Sequence, residues 1–235
     1  MDVSLFLVLM MCSITMITSS HLTKHYMSHD ELELHLQNLT LKFPDISRLY
    51  SIGESVKGRS LIVMEISSNP GRHEFLEPEF KYIGNMHGDE TVGRQILLNL
   101  IEMLLMDYST NPAIKQLVDN TRIHILCTMN PDGFQKAQNT THDYLPDGRN
   151  NANDVDLNRN FPDPFVPYFS KFRMQKETKA VIDWLHSFPF VLSANLHGGA
   201  VVVNYPYDNF KHDFFTHLLY GASFYAGTPD DDVFR

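Results

Sequence analysis

The sequence alternates apolar, strand-like runs with segments of helical periodicity. Helical periodicity marks residues 28–39, 91–107 and 172–187, and a further short helix is expected after Pro112. The strand-like runs are LIVMEIS (61–67), EFKYIGN (79–85), TRIHILCTM (121–129) and FVLSANLH (190–197). Strands that alternate with helices in this way predict an α/β fold built around a largely buried sheet. No linker divides the chain, so one domain is expected.

Polar motifs directly follow three of these strand-like runs. His87 and Glu90 follow the run at 79–85, the NPDG segment follows the run at 121–129, and His197 with two glycines follows the run at 190–197. In open α/β sheets, sites form in the crevice beyond the carboxyl ends of the strands. The sequence therefore predicts that these three motifs share one site.

The residue types in two of these motifs are those of a zinc site. His87 and Glu90 are three positions apart, which places both side chains on one face of a helical turn. Alone, such a pair is more often a helix-capping Glu beside a hydrogen-bonded His. His197 changes the balance, because two His and one carboxylate form a catalytic zinc set that leaves a fourth position for water. We expect one Zn²⁺ at His87, Glu90 and His197, where it would lower the pKa of water and polarise a carbonyl group.

Two further segments carry candidate substrate-binding residues. Arg149, Asn158 and Arg159 lie in an Asn-rich stretch, where they suit an anion clamp, although a solvated loop with Asx-turns is the alternative. Asp208 follows the aromatic residues of VVVNYPYDN (201–209). A carboxylate at the floor of an aromatic pocket would select a cationic side chain, and a simple turn before Asn209 is the alternative.

Four segments together resemble the zinc metallocarboxypeptidases, and more closely the regulatory branch that includes carboxypeptidases D, E, M and N. They are NMHGDETVGR (85–94), MNPDGF (129–134), GRNNANDVDLNRNFPD (148–163) and NLHGGAVVVNYPYD (195–208). The resemblance runs from about Leu32 to the last residue. It implies a mixed eight-stranded sheet flanked by helices, incomplete here at the C-terminus, and one zinc ion bound by His87, Glu90 and His197.

The same resemblance implies roles for the substrate-binding residues. Arg149, Asn158 and Arg159 match the positions that grip the terminal carboxylate of the substrate and polarise the scissile carbonyl, with Arg149 stabilising the oxyanion. Asp208 matches the acidic residue with which this branch prefers a C-terminal Lys or Arg. The implied function is a zinc-dependent exopeptidase that removes one basic residue from the C-terminus of a peptide or protein.

The chain departs from this family in one respect. The family's general base is a glutamate well beyond the third zinc ligand, whereas the last glutamate here is Glu177, upstream of His197. Tyr220 and Tyr225 come too early to match the family's mobile tyrosine. We expect the N-terminal part of a longer enzyme or a truncated isoform. The alternatives are a protein that binds zinc and peptide tails without turnover, and a small-molecule amide deacylase, which the clamp and Asp208 disfavour.

The N-terminal segment indicates the compartment. Residues 1–20 contain an apolar stretch followed by small residues, which predicts a secretory signal peptide cleaved near Ser20, with residues 21–235 as the carboxypeptidase part. A buried N-terminal helix is the alternative. Because Cys12 falls in that segment, Cys127 remains alone, which excludes a disulfide framework and indicates a core residue. Two glycosylation sequons, at Asn38 and Asn139, fit secretion.

The charge of the chain limits its partners. The formal net charge is −9, and no basic cluster stands out, so a nucleic-acid partner is not expected. Positively charged peptide ends fit an acidic protein. Beyond the first twenty residues, no apolar stretch is long enough to suggest a membrane anchor. We expect a monomer that acts on peptides.

Overall fold

The computed structural model describes residues 23, 25–139, 148–162, 173–206 and 228. In chain order, its elements are α1 (His29–Lys42), β1 (Ser47–Glu54), β2 (Ser60–Ile66), β3 (Glu79–Gly84), α2 (Thr91–Met106), α3 (Pro112–Asn120), β4 (Arg122–Leu126), α4 (Pro131–Asn139), a 3-10 turn (Leu157–Arg159), α5 (Lys176–Ser187) and β5 (Phe190–Leu196). No helix among these residues combines the length and the apolarity needed to cross a bilayer. The predicted signal segment, Asp208, Tyr220 and Tyr225 lie outside the described residues.

The strands form one mixed sheet in the order β1-β2-β4-β3-β5. The pairs β1/β2 and β2/β4 are antiparallel, whereas β3 is parallel to both β4 and β5. The predicted α/β class with a mixed, helix-flanked sheet is confirmed, although the described part of the chain contains five strands and not eight. Since β4, β3 and β5 run in the same direction side by side, their carboxyl ends lie at one edge of the sheet.

Helices cover both faces of the sheet because the apolar residues of β2 and β4 alternate between the faces. Met64 and Ile123 belong to the core that the sheet forms with α1, α2 and α3. Val63 and Leu126 belong to the opposite core, where Trp184 of α5 packs. Cys127 lies in the first core as a buried free thiol, as predicted, and burial raises its pKa to about 12.

Local signals in the sequence explain where two helices begin. Ser28 and Glu31 form a reciprocal capping box at the start of α1, in which each side chain satisfies a backbone N–H of the other residue. Asn111 caps α3 by accepting from the backbone N–H groups of residues 113 and 114, and Pro112 occupies the first turn. These signals place both helices where the sequence predicts them.

Two elements, β1 and α4, were not predicted from the sequence. The residues of β1 are mostly half-buried and its register shifts between Ser51 and Glu54, so no clean alternation marks it as a strand. The helix α4 begins at Pro131, inside the segment that we expected to be a polar loop. Only its first turn is buried, and a single buried turn produces too short an apolar pattern to be recognised.

The prediction that residues 190–197 form a buried strand is wrong for the described part of the chain. This strand, β5, is the edge strand of the five-stranded sheet, and its residues alternate between half-buried and exposed. Val191 is 69% exposed. An apolar sequence alone does not distinguish a central strand from an edge strand, because the two differ only in what packs beside them.

A buried polar network lies on the α5 side of the sheet. His124 of β4 contacts the Tyr50 hydroxyl through Nδ1 at 2.8 Å and the Glu79 carboxylate through Nε2 at 3.1 Å. The guanidinium of Arg122 bridges Glu65 at 2.7 Å and Glu79 at 2.9 Å. Both carboxylates are fully buried, so the Arg122 guanidinium between them supplies part of the positive charge that their burial requires.

Candidate metal centre

The three polar motifs meet at the edge where β4, β3 and β5 end. His87 and Glu90 lie in the turn between β3 and α2, and His197 directly follows β5. Each of these three residues offers a ligand atom, and the three atoms lie within 4.8 Å of one another. The structure thus brings together the three residues that the sequence singles out as zinc ligands.

The turn that carries His87 and Glu90 is shaped by Asn85, which sequence reasoning missed. Asn85 is fully buried and adopts a left-handed backbone conformation (φ 54°). Its amide Nδ2 donates to the backbone carbonyls of His87 at 2.9 Å, Gly88 at 2.9 Å and Glu90 at 3.2 Å. Asn is one of the few residues that tolerate this conformation, so an Asn at the end of a strand was an available signal.

Glu90 does not act as a helix-capping residue. It occupies the N-cap position of α2, but its side chain makes no capping hydrogen bond. The sequence predicts that His87 and Glu90 lie on one face of a helical turn. In the structure the pair lies instead in a turn ahead of α2. The backbone N–H of Glu90 closes this turn by donating to the carbonyl of His87 at 3.1 Å. The carboxylate is therefore available to serve as a metal ligand.

The Glu90 carboxylate lies between the two imidazoles. Its Oε1 is 2.8 Å from His87 Nδ1, and its Oε2 is 2.9 Å from His197 Nδ1. The backbone N–H of Gly198 also donates to Oε2 at 2.9 Å. Burial opposes ionisation of Glu90, but the donors at Gly198, His87 and His197 outweigh it and lower the pKa of the carboxyl. The group is thus an anion ready to bind a cation.

A cation of the size and preference of zinc fits this donor set. Zinc binds His nitrogens and carboxylate oxygens at about 2.0–2.2 Å in a tetrahedron, so three donors within 4.8 Å of one another surround it with little movement. His87 is 3% exposed, whereas the side chain of His197 is 33% exposed. This difference leaves one side of the set open, as a fourth position for water or substrate requires.

Asp156 is a second residue that the sequence analysis did not identify. Its Oδ1 lies 3.1 Å from His87 Nε2, and its Oδ2 accepts from Arg149 Nη2 at 3.0 Å. Burial opposes ionisation, but the hydrogen bond from Arg149 and the charge of His87 lower the pKa of this carboxyl. A carboxylate on the far nitrogen of a ligating His fixes the ring orientation and increases its basicity.

The predicted clamp residues lie on the loop that carries Asp156. The side chain of Arg149 is 44% exposed, and its Nη1 is 3.5 Å from Glu90 Oε1. Asn158 and Arg159 are exposed in the 3-10 turn, and the backbone N–H of Asn158 donates to Asp156 Oδ1 at 2.8 Å. The atom that Asn158 contacts is also the one that faces His87, so the loop reaches the metal set directly. Asp208 lies outside the described residues.

Three glycines allow the loops of the site to approach at backbone distance. A Cβ atom on Gly88 would lie 2.2 Å from the backbone of Gly133, and a Cβ on Gly133 would lie 2.4 Å from the carbonyl oxygen of Gly148. These three residues belong to the metal turn, to the first turn of α4 and to the start of the loop that carries Arg149. No side chain fits at this junction, which explains a glycine in each motif.

Comparisons with known proteins agree on one family. A family model described as zinc carboxypeptidase matches residues 32–235. Carboxypeptidase D of Mus musculus is 52% identical over 211 residues, which is 90% of this chain and 14% of the relative. The catalytic chain of carboxypeptidase N of Homo sapiens is 48% identical over 229 residues, covering 88% of this chain and 49% of the relative. The chain thus spans half the length of these relatives or less.

Solved structures agree with the fold. The crystal structure of carboxypeptidase A from Helicoverpa armigera aligns with a TM-score of 0.62 at 21% identity. The alignment covers 84% of this chain and 53% of that structure. At this level of identity the match concerns the architecture of the sheet and its helices.

Proposed function

Because this chain belongs to the zinc carboxypeptidase family, we propose that it binds one zinc ion and grips the C-terminus of peptides that end in Lys or Arg. In this proposal it forms the metal- and substrate-binding part of an exopeptidase. The observation that carries the proposal is the convergence of His87, Glu90 and His197 within 4.8 Å, beside a loop that presents an exposed arginine.

The metal-binding part of the proposal rests on the chemistry of the donors. His87 and His197 would bind through Nδ1, the nitrogen that each directs at Glu90. Asp156 would keep the proton of His87 on Nε2, which leaves Nδ1 with a free lone pair. A bound zinc supplies a Lewis acid that lowers the pKa of water and polarises a carbonyl oxygen.

The substrate-binding part rests on Arg149, Asn158 and Arg159. All three are exposed on the loop that carries Asp156, and a guanidinium binds a carboxylate through two parallel hydrogen bonds. Arg159 is exposed, and within the part of the chain that the structure describes its guanidinium donates to the backbone carbonyl of Asn158 at 2.9 Å. Asn158 and Arg159 would orient the terminal carboxylate of the peptide. Arg149, nearest to Glu90, would stabilise the oxygen that becomes negative in the reaction.

The preference for a basic end rests on Asp208 and on the family resemblance. A carboxylate in a pocket lined by aromatic residues attracts a Lys or Arg side chain and excludes an apolar one. In this proposal, removal of Asp208 lowers the affinity for Arg-ended peptides while leaving zinc binding unchanged. Affinities that do not distinguish Arg-ended from Phe-ended peptides would contradict the proposed specificity.

A second function, binding without turnover, is favoured by the position of Glu177. This residue is the last glutamate of the chain and is fully buried at the start of α5. Its carboxylate accepts from the backbone N–H of Val56 at 3.0 Å and from Asn151 Nδ2 at 3.2 Å, so it is not placed to take a proton from water at the metal set. Glu90 is engaged as a ligand. The base would have to be another residue.

One experiment separates the two functions. The chain is loaded with zinc and incubated with a peptide that ends in Arg, and the mass of the peptide is followed with and without a chelator. Loss of a single Arg that the chelator abolishes supports the exopeptidase. An unchanged peptide that binds a chain carrying one zinc supports binding without turnover. A chain that binds neither zinc nor the peptide contradicts both.

We also propose that the protein acts in the secretory pathway or outside the cell as a monomer. The apolar segment at residues 1–20 supports a signal peptide, and residues 21–235 then form the carboxypeptidase part. Secretion into the culture medium, with a mature N-terminus near residue 21, is the expected result in a eukaryotic host. Retention of the segment on the mature protein would contradict it.

A further inference from the structure

The loop that carries Arg149 and Asp156 is organised by the buried residue Asn151. Asn151 is 4% exposed. Its side-chain Oδ1 accepts from the backbone N–H groups of Asn153 at 3.0 Å and Val155 at 3.1 Å. The backbone N–H of Asn151 also donates to the Val155 carbonyl at 3.0 Å. One amide therefore folds the segment between Arg149 and Asp156 into a closed turn.

Two residues at the start of α5 hold Asn151 in place. Its Nδ2 donates to Gln175 Oε1 at 3.0 Å and to Glu177 Oε2 at 3.2 Å. The other oxygen of Glu177 accepts from the backbone N–H of Val56, at the β1/β2 hairpin. Gln175 Oε1 accepts a second hydrogen bond, from Asn153 Nδ2 at 2.8 Å. The turn around Asn151 is thus fastened to α5 at two of its residues.

The remaining ends of the loop are fastened by other contacts. The backbone carbonyl of Arg149 accepts from Asn130 Nδ2 at 3.1 Å and from the Gly88 N–H at 3.3 Å. Asn160 Oδ1 accepts from the backbone N–H of Gln175 at 2.7 Å. The backbone of the loop is therefore defined at both ends, beside Arg149 at its start and beside Arg159 at its end.

We propose that Glu177 and Gln175 are positioning residues that act through Asn151 to present Asn158 and Arg159, at the end of the same loop, to the terminal carboxylate of a peptide. This inference rests on the proposed function. Neither residue faces the metal set, and both act from the far side of the loop. A displacement of about 1 Å in a binding group is enough to weaken a two-point interaction strongly, so the fastening of the loop matters for binding as well as for stability.

The chemistry of the contact favours this role over a purely stabilising one. A buried carboxylate is costly to desolvate, and apolar residues of similar volume often stabilise a core equally well. Glu177 and Gln175 fix the orientation of the Asn151 amide, because both accept hydrogen bonds from its Nδ2. That orientation decides which backbone N–H groups donate to its Oδ1. An apolar contact would leave that amide free to turn.

The test compares two peptides that differ only at the terminal carboxylate, the group that Asn158 and Arg159 are proposed to bind. Both end in Arg and contain a ketomethylene in place of the last amide, so that they are not cleaved. One has a free carboxylate and the other a C-terminal amide. The ratio of the dissociation constant of the amide to that of the acid, measured by calorimetry with zinc present, reports the carboxylate contact alone. A general loss of stability changes both constants equally and leaves the ratio unchanged.

The variants are Glu177→Gln and Gln175→Met, with Asp183→Asn as the control on the same helix. Glu177→Gln leaves one acceptor oxygen for two donors, the Val56 N–H and Asn151 Nδ2, so one of these contacts is lost. Gln175→Met removes the acceptor shared by Asn151 and Asn153 while keeping the volume. Asp183 is in an exposed ion pair with Lys179, away from the loop. We expect the ratio to fall about threefold to tenfold in both variants and to stay unchanged in the control.

Each outcome has a distinct meaning. A wild-type chain that binds the acid and the amide equally contradicts the proposed function, and the inference with it. A wild-type chain that prefers the acid, together with variants that keep the same ratio, contradicts the inference alone. Should Glu177→Gln fail to fold, the uncharged Gln175→Met variant decides by the same ratio.

Discussion

His87 and Asp156 are 69 positions apart in the sequence, yet the imidazole Nε2 of one lies 3.1 Å from Oδ1 of the other. Because the pKa of Asp156 is lowered, its carboxylate is an acceptor, and the proton must reside on the ring nitrogen. With Nε2 held by Asp156, Nδ1, which faces Glu90, is the nitrogen that a zinc ion would bind. The metal set is therefore incomplete without the loop that carries Asp156.

Replacement of Asp156 tests this relationship. In Asp156→Asn, the charge that supports His87 is lost and an amide N–H can face Arg149, so we expect zinc to bind about tenfold to a hundredfold more weakly. Competition with a chromophoric chelator measures the affinity. The control is Asp154→Asn on the same loop, a residue with φ 59° that Asn also tolerates, and its affinity should stay within about twofold of wild type. Equal losses in both variants would contradict the role of Asp156.

Metal removal should lower the stability of the chain. At a free zinc concentration of about 100 times the dissociation constant, binding to the folded state alone adds about 2.7 kcal/mol to the free energy of unfolding. Urea denaturation with zinc, and then with an excess of chelator, measures this difference. The gain should disappear in Glu90→Gln and persist in Glu33→Gln, which changes a carboxylate on α1. A zinc-dependent gain that survives in Glu90→Gln would place the metal elsewhere.

The glycine junction predicts a strong effect of one added methyl group. In Gly133→Ala the new Cβ would lie 2.4 Å from the carbonyl oxygen of Gly148, so the first turn of α4 and the Arg149 loop must separate. We expect a loss of about 2 kcal/mol or more in the free energy of unfolding, together with weaker zinc binding. The comparison is Gly58→Ala, where the φ of +79° is unfavourable but the nearest atom is 3.9 Å away. That variant should lose about 1 kcal/mol and bind zinc normally.

Burial of His124 predicts loss of stability at acidic pH. Desolvation lowers the pKa of this side chain from 6.5 to about 4, although Glu65 and Glu79 act in the opposite direction and Arg122 adds to the lowering. Lys81, on the neighbouring strand, is also buried. A folded-state pKa below the unfolded value means that the unfolded chain takes up the proton first. Above pH 6.5, His124 is neutral in both states and the free energy of unfolding is not reduced. As the pH falls from 6.5 towards 4, the unfolded chain is protonated first and the free energy of unfolding decreases.

The size of this effect is limited by the shift in pKa. A shift from 6.5 to about 4 corresponds to at most about 3 kcal/mol. Urea denaturation of wild type and His124→Gln at pH 7.5 and pH 4.5 measures it. The variant is expected to be less stable at pH 7.5, because it loses the contacts to Tyr50 and Glu79, but to lose less stability on acidification. An identical pH dependence in both proteins would contradict this account.

The sequence determined the order of the main elements and the residue types of the site. Alternating apolar runs placed β2, β3, β4 and the major helices within a few residues of their observed bounds, because hydrophobic periodicity reflects burial directly. His87, Glu90 and His197 stood out because each follows a strand, and parallel strands end at one edge of a sheet. The zinc ligands remain a prediction at the level of chemistry, but their convergence is a property of the fold.

Only the tertiary structure decided how those residues are supported. Asn85, Asp156 and Asn151 act through hydrogen bonds to partners that depend on how the loops fold back, and no periodic pattern marks such contacts. The edge position of β5 likewise depends on its neighbours and not on its own residues. The sequence likewise shows only that Glu177 precedes His197. Its burial beneath the Arg149 loop is set by the packing of α5.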